Sequence, residues 1–529
     1  MTPDITPEAL EPETIALSTA GMTTKVVKGS LWTLAGQVLP LIASLVATPF
    51  TIRLLGSEAY GVVILVGLIP TYFSFADFGM GIASTKFGSE AYGQGDTRKE
   101  GEVVRTAAVV AFLSSLVIAV PVFLFSSWIV REFSVPENLR DIASVALKIT
   151  SVAFVLSILM SVLNTPMLAR LRMDLNSFTG TLPKVIIAVL TPIILYLGGG
   201  ILGAIWMAFI AGLIGCGLVL YFSSKLLPGL LRPTINKTYF RPLLKFGGAW
   251  VIGSIAAVLL VNLEKLTLSK MVSVKSLAYY SLAFTFASMA GMFSLAMTQS
   301  LIPAFSQLLG PDKKEEFDGL FGRGMRINLI LLLPAIMVMF VAARPLFTLM
   351  GREEFGVASS PPFYILLIGL FFNILAFIPH SSITAKGRTD IFAKLYWVEL
   401  AIYAVAVYFL INWFGIIGAA AAWSLRVILD ALVIIWFSKR VTQVSFRFFN
   451  HFTSLLIGFL LLLPAALFAF FYDNFSLWLI VLVPLSVGLY SILIWKTFVE
   501  PTERIWIKSR IDYLLIFYRK YLFTPKEDS

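Results

Sequence analysis

The sequence predicts an all-α polytopic membrane protein of about fourteen spanning helices, and three observations carry that prediction. Apolar residues make up 58% of the 529 residues, and charged residues only 13%. The charges fall into short clusters separated by apolar stretches of roughly 20 residues, the length at which a helix crosses a hydrocarbon core. A short string also recurs: Ala169, Arg170, Arg172 and Asp174 return about 216 residues later as Ala385, Lys386, Arg388 and Asp390.

The first apolar stretch, 31–52, stops at Arg53 and Gly56; the second, 60–84, carries Pro70 and closes on Asp77, Phe78 and Gly79. Charged residues from Asp96 to Arg105 precede the third, 106–130, and those from Arg131 to Asp141 precede the fourth, 142–168. After the repeated string come 178–197 and 201–222, parted by Gly198, Gly199 and Gly200. The basic stretch from Ser223 to Lys245 leads to 246–268, and 277–303 follows Lys270 and Lys275. Then come 327–350, 361–385, 395–413, 415–438, 452–472 and 475–495. A spanning β-strand would be about half as long and would alternate polar with apolar residues. These stretches do not alternate.

The repeat sets the domain organisation. Gly200, Gly203 and Trp206 match Gly415, Gly418 and Trp423, and Ser57, Ala59 and Tyr60 match Ser276, Ala278 and Tyr279, at nearly the same offset. Spans 1–6 therefore form one lobe (25–222), 223–245 is a basic cytoplasmic linker, and spans 7–12 form a second lobe (246–438). Because an even number of spans separates the copies, the two repeats run parallel. Spans 13 and 14 (452–495) have no counterpart in the first half. Residues 1–24 carry Asp4, Glu8, Glu11 and Glu13 without a basic leader, so a disordered cytoplasmic tail is expected rather than a signal peptide. In 496–529, Ile505, Trp506, Leu514 and Phe517 interleave with Arg504, Lys508, Arg510 and Arg519, the pattern of an amphipathic helix lying on the membrane surface.

Lysine and arginine resist translocation and collect in cytoplasmic loops. With the N-terminus inside, about 30 of the 41 fall on the inner side and about 8 on the outer, so both termini are expected in the cytoplasm. Topology thus accounts for the net charge of +11 and gives no reason to invoke nucleic acid. The lone Cys216 excludes an intramolecular disulfide, and His380 and His451 are too few soft ligands for a metal centre. No cofactor is implied. No Gly-x-x-x-x-Gly-Lys-Ser/Thr string exists and every loop is short, so ATP-driven pumping and enzymatic function are both disfavoured.

The informative residues are the ionisable ones within spans, because a charge near the bilayer centre costs about 2.5–3.5 kcal/mol. Lys148, Lys184, Arg426 and Arg53 are the candidate cations; Asp77, Glu399 and Asp430 are the candidate ion-coupling acids. Arg426 and Asp430 are four apart and either neutralise each other or line a site. Lys148 and Lys184 either snorkel to an interface or face a wet cavity. Asp77 either braces the break at Gly79 and Gly81 or couples an ion. The excess of cations over unpaired acids points to an anionic ligand such as phosphate.

Leu55, Gly56, Glu58, Tyr60 and Gly61, then Asp77, Phe78 and Gly79, and Gly415, Ile416, Gly418 and Ala419 together resemble the polysaccharide transporter family. These are oligosaccharide-lipid flippases related to multidrug extruders and lipid II flippases. The resemblance covers spans 1–14 and implies two six-helix lobes around a central cavity that opens to each side in turn. It implies a substrate of undecaprenyl-pyrophosphate-linked oligosaccharide, moved from the cytoplasmic to the outer leaflet of a bacterial inner membrane. Lys148, Lys184, Arg426 and Arg53 are then expected to meet the pyrophosphate, with Asp77, Glu399 or Asp430 coupling an ion. Membrane lipids and the glycan polymerase and glycosyltransferase machinery are the implied partners. Two other readings stay open: a drug/cation antiporter of the same superfamily, and a membrane-embedded polymerase or ligase acting on lipid-linked glycans.

Overall fold

The computed structural model describes residues 12–444, 452–471, 478–499 and 504. Of the expected surface helix within 496–529, all but residues 496–499 and 504 lies outside the described residues, as do residues 1–11. Every regular element among the described residues is helical, in keeping with the fold class read from the sequence. Contacts group the chain into two compact units, Met1–Tyr279 and Tyr280–Ser529.

The first unit is built from nine α-helices. Helix α1, Pro12–Thr71, begins within the segment expected as tail. It is followed by a 3-10 turn (Ser74–Asp77) and α2 (Met80–Gly93). Then come α3 (Thr97–Leu124), α4 (Ser126–Arg131), α5 (Glu137–Leu163), α6 (Thr165–Ala169), α7 (Met173–Tyr196), α8 (Gly200–Leu226) and α9 (Lys237–Met271). Small residues let these helices approach closely, which replaces the hydrophobic drive that lipid cannot supply. At the crossing of α2 and α9, a Cβ on Gly79 would lie 2.6 Å from the Gly247 backbone, and Gly79 also needs a positive φ of 69°. No other residue satisfies both demands. Between α1 and α7, Thr181 Oγ1 donates to the Gly36 carbonyl at 3.1 Å.

The second unit holds most of α10 (Val274–Ser288), α11 (Met292–Gln307), α12 (Lys314–Leu375), α13 (Phe377–Ala385), α14 (Asp390–Thr442), α15 (Phe452–Phe471) and α16 (Trp478–Thr497). Its core stacks Phe305, Phe317, Phe321 and Met325 beneath the appended pair α15 and α16. Tyr490 of α16, fully buried, donates its hydroxyl to the Ile330 carbonyl of α12 at 3.1 Å, which anchors that pair without exposing a polar group to lipid.

Eight helical runs among the described residues are long and apolar enough to cross a membrane. Three of them are double-length: Gly36–Asp77, Lys314–Ala385 and Asp390–Thr442. Each is broken where two expected spans meet, at Gly56 (φ 78°), at Gly351 and Arg352 (φ 63°), and at Gly415 (φ 55°). The Arg352 turn is clamped by Arg344, whose Nη2 lies 2.8 Å from Glu353 Oε1.

The duplicated strings fall on matching structural events. Arg172 reaches Asp174 at 2.9–3.3 Å at the start of α7, and Arg388 reaches Asp390 at 2.9–3.3 Å at the start of α14. Within each string the residue before the second cation turns left-handed, Leu171 at φ 53° and Gly387 at φ 73°. In each copy a short turn between helices is closed by the same side-chain fork.

A buried acidic and basic cluster in helix α14

Helix α14 folds on itself. Gly415, at φ 55° and ψ −126°, sits in a backbone region that residues with a Cβ avoid, and it splits the helix into two arms. The arms then touch: a Cβ on Gly418 would lie 1.8 Å from the Leu410 carbonyl oxygen. This close return brings Glu399 and Tyr403 of the first arm against Arg426 and Asp430 of the second.

Arg426 Nη1 lies 3.5 Å from Glu399 Oε2, with both side chains nearly inaccessible. The guanidinium also covers the Tyr403 ring, 5.4 Å from its centroid, a cation–π contact that gains strength where water is excluded. Asp430, one turn beyond Arg426 on the same arm, is in electrostatic contact with the Glu399 carboxyl. Ionised carboxylates only accept hydrogen bonds, so that contact becomes a bond only when one of the two acids carries a proton. Without it, both Glu399 oxygens and Asp430 Oδ1 are buried with no hydrogen-bond partner. Two acids and one fixed cation at this depth form a group that can take up a single positive charge: a proton or a small cation.

The other sequence-derived candidates occupy the first unit. Lys148, half-buried on α5, holds its ammonium 5.8 Å from the centre of the Phe123 ring. Lys184 is exposed on α7 beside Pro183, and Arg53 is exposed on α1, three residues before the Gly56 break. Asp77 uses both oxygens on backbone: Oδ1 accepts from Gly79 N–H at 2.8 Å and Oδ2 from Gly81 N–H at 3.1 Å. It caps α2 across the left-handed pair Phe78 and Gly79.

One ionic feature escaped the reading by spans. Glu100, fully buried near the start of α3, pairs bidentately with Arg170, whose Nη2 lies 3.0 Å from Oε2. Arg170 also donates to the Pro166 carbonyl at 3.2 Å and stacks on Tyr92 at 4.4 Å. Part of the repeated string is therefore a buried clasp joining α2, α3 and α6. The signal for it lay in Glu100 itself, an acid among the cations that the positive-inside pattern predicts.

Comparison with known proteins bears on the family and the fold. The profile of the polysaccharide biosynthesis protein family matches residues 26–309, and that of the MatE family matches 251–410. The chain is 24% identical over 419 residues to a putative O-antigen transporter of Shigella flexneri, covering 79% of this chain and 99% of the relative. Among solved structures it resembles the lipid II flippase MurJ in an inward closed conformation, with a TM-score of 0.69 and 16% identity over 88% of this chain and 97% of the other. It also resembles an inward-facing multidrug resistance MATE transporter, with a TM-score of 0.67 and 12% identity over 78% and 98%. At these identities the structural likeness is one of fold. The family match spans more than half of the chain, so this multi-pass membrane protein belongs to the polysaccharide biosynthesis protein family, within the superfamily of multidrug, oligosaccharidyl-lipid and polysaccharide exporters.

Proposed function

We propose that the protein is a flippase that carries an undecaprenyl-pyrophosphate-linked oligosaccharide from the cytoplasmic to the outer leaflet of a bacterial inner membrane, with both termini in the cytoplasm. The observation that carries this reading is family membership over 26–309 together with an O-antigen transporter relative matched along 99% of its own length. The physics agrees. A sugar headgroup loses many hydrogen bonds in hydrocarbon, while a polyprenyl tail stays in lipid, so a protein need shelter only the polar end. Two lobes, 25–222 and 246–438, work by alternating access. Lys148, Lys184 and Arg53 supply charge for the pyrophosphate, and the cluster of Glu399, Arg426 and Asp430 couples the movement to an ion. Arg426, held by Glu399 and Tyr403, serves the coupling group rather than the phosphate.

Proteoliposomes with a labelled lipid-linked oligosaccharide test the reading. Label appears in the opposite leaflet when a proton or sodium gradient, or a membrane potential, is imposed; no translocation under any of these would sink it. The MatE match over 251–410 favours drug/cation antiport as the second reading. Gradient-driven efflux of a cationic dye, without movement of the glycolipid, would select it.

A further inference from the structure

The two copies of the repeated string differ in what neutralises them. In the first copy, Arg170 is clasped by the buried carboxylate of Glu100. Counted from the starts of α3 and α12, the residue opposite Glu100 is Phe317, also buried, which cannot neutralise a cation. The counterpart of Arg170 is Lys386, which is exposed, and no acidic side chain among the described residues pairs with it. Instead Lys386 and Arg388 line an open groove of about 770 Å³ with Ile391, Trp436, Phe437 and Arg440. Three cations line it, and Asp390, the acid next to them in the chain, is taken by Arg388.

The second observation concerns what lies beside the groove. Leu425, Leu429, Leu432 and Trp436 are all exposed and recur every three or four residues, so they make one apolar stripe along the second arm of α14. The stripe ends at Trp436, over which the Arg440 guanidinium lies 5.3 Å from the ring centre. A tryptophan at the end of an apolar stripe marks headgroup depth. A soluble anion would use the cations but leave the stripe bare; a phospholipid uses both, its phosphate among Lys386, Arg388 and Arg440 and its acyl chains along the leucines.

We propose that this groove is a binding site for the phosphate headgroup of an anionic phospholipid in the surrounding membrane. It is built at the copy of the string that has no counterpart of Glu100. The proposal does not depend on the transported substrate, so its test can fail or succeed apart from the flippase reading.

The test uses the full chain in nanodiscs of phosphatidylcholine with brominated phosphatidylglycerol or brominated phosphatidylcholine as quencher. With 11 tryptophans present, the share of Trp436 is read as the difference between the native chain and Trp436→Phe. In the native chain, the brominated anionic lipid should quench Trp436 at a several-fold lower mole fraction than its neutral counterpart. Lys386→Gln with Arg440→Gln should weaken that preference by about fivefold or more, the weight of one or two cations at an anionic surface. Lys386→Arg with Arg440→Lys should retain it, which separates lost charge from lost fold. Equal quenching by both lipids in the native chain, or an unchanged preference in the neutral variant, would overturn the proposal. So would loss of the native preference on adding inorganic phosphate at constant ionic strength, since that outcome marks a site for a soluble anion.

Discussion

Gly200 and Gly415 stand at the same point of the two copies and share a positive φ, 55° in each. One starts α8 after a glycine turn; the other splits α14 into two arms. Both glycines stand where two expected spans meet, and both hold a φ that residues with a Cβ avoid.

Replacing Gly415 by alanine should destabilise the second unit by about 1–3 kcal/mol, the usual weight of a non-glycine residue in a sparsely populated region. No neighbour lies within 4 Å of the added Cβ, so backbone strain is the whole effect there. Gly418→Ala acts differently, by driving a Cβ into the Leu410 carbonyl. Thermal unfolding in detergent should rank both variants below the native protein.

The Glu399, Arg426 and Asp430 group should behave as a unit. Arg426→Met leaves two buried acids without their cation and should cost about 3–5 kcal/mol, whereas Glu399→Gln combined with Arg426→Met should cost less than the sum of the single changes. Glu399→Gln and Asp430→Asn should each abolish gradient-driven translocation while leaving downhill exchange. A variant of either acid with native gradient dependence would refute the coupling role.

Asp77→Asn keeps an oxygen that can accept one of the two backbone N–H groups, whereas Asp77→Ala keeps none. The alanine variant should lose about 0.5–2 kcal/mol of stability, as expected for a removed helix cap, and the asparagine variant less. If Asp77 acts only as a brace, translocation should follow stability across the pair. Full stability with abolished transport in Asp77→Asn would assign it the ion-coupling role instead.

Glu100→Gln should cost about 3–5 kcal/mol, because it strands the Arg170 guanidinium in a site built for a carboxylate. The matching position in the second copy, Phe317, tolerates no acid for the same reason inverted: it packs on Phe305 at 4.8 Å between ring centres. Unfolding midpoints of Glu100→Gln and Phe317→Glu check both.

The exposed forks respond weakly to pH. The Arg172 guanidinium beside Asp174 holds that carboxyl below its ordinary range, and Arg388 does the same for Asp390. A carboxyl depressed in the folded state contributes stability that is present above its unfolded value and is lost as pH falls through the folded one. Both pairs face solvent, so the contribution is small and screened. Asp390→Asn should shift the unfolding midpoint slightly at neutral pH and low salt, and not at all in strong acid or high salt.

What the sequence determined by itself is the class of protein, the number of apolar stretches, the duplication and the repeated strings at helix breaks. Those are properties of composition and spacing, and lipid enforces them because an unsatisfied backbone group cannot face hydrocarbon. That Arg426 and Asp430 share a helix face was also legible, since they are four residues apart, but the ion pair that Arg426 makes is with Glu399 at 3.5 Å. Glu399 was visible only as an isolated charge: it lies on the other arm of α14, and only the fold at Gly415 with the close return at Gly418 places it against Arg426. The same limit hid the Glu100–Arg170 clasp, whose members are far apart in the chain, and the groove at Lys386, whose lining joins residues 386–391 to residues 436–441. Lys148 and Lys184 read alike in sequence as lone lysines in apolar helices. Tertiary structure separated them, setting one over Phe123 and leaving the other exposed, because helix rotation is decided by packing against neighbours and not by the residues of a single span.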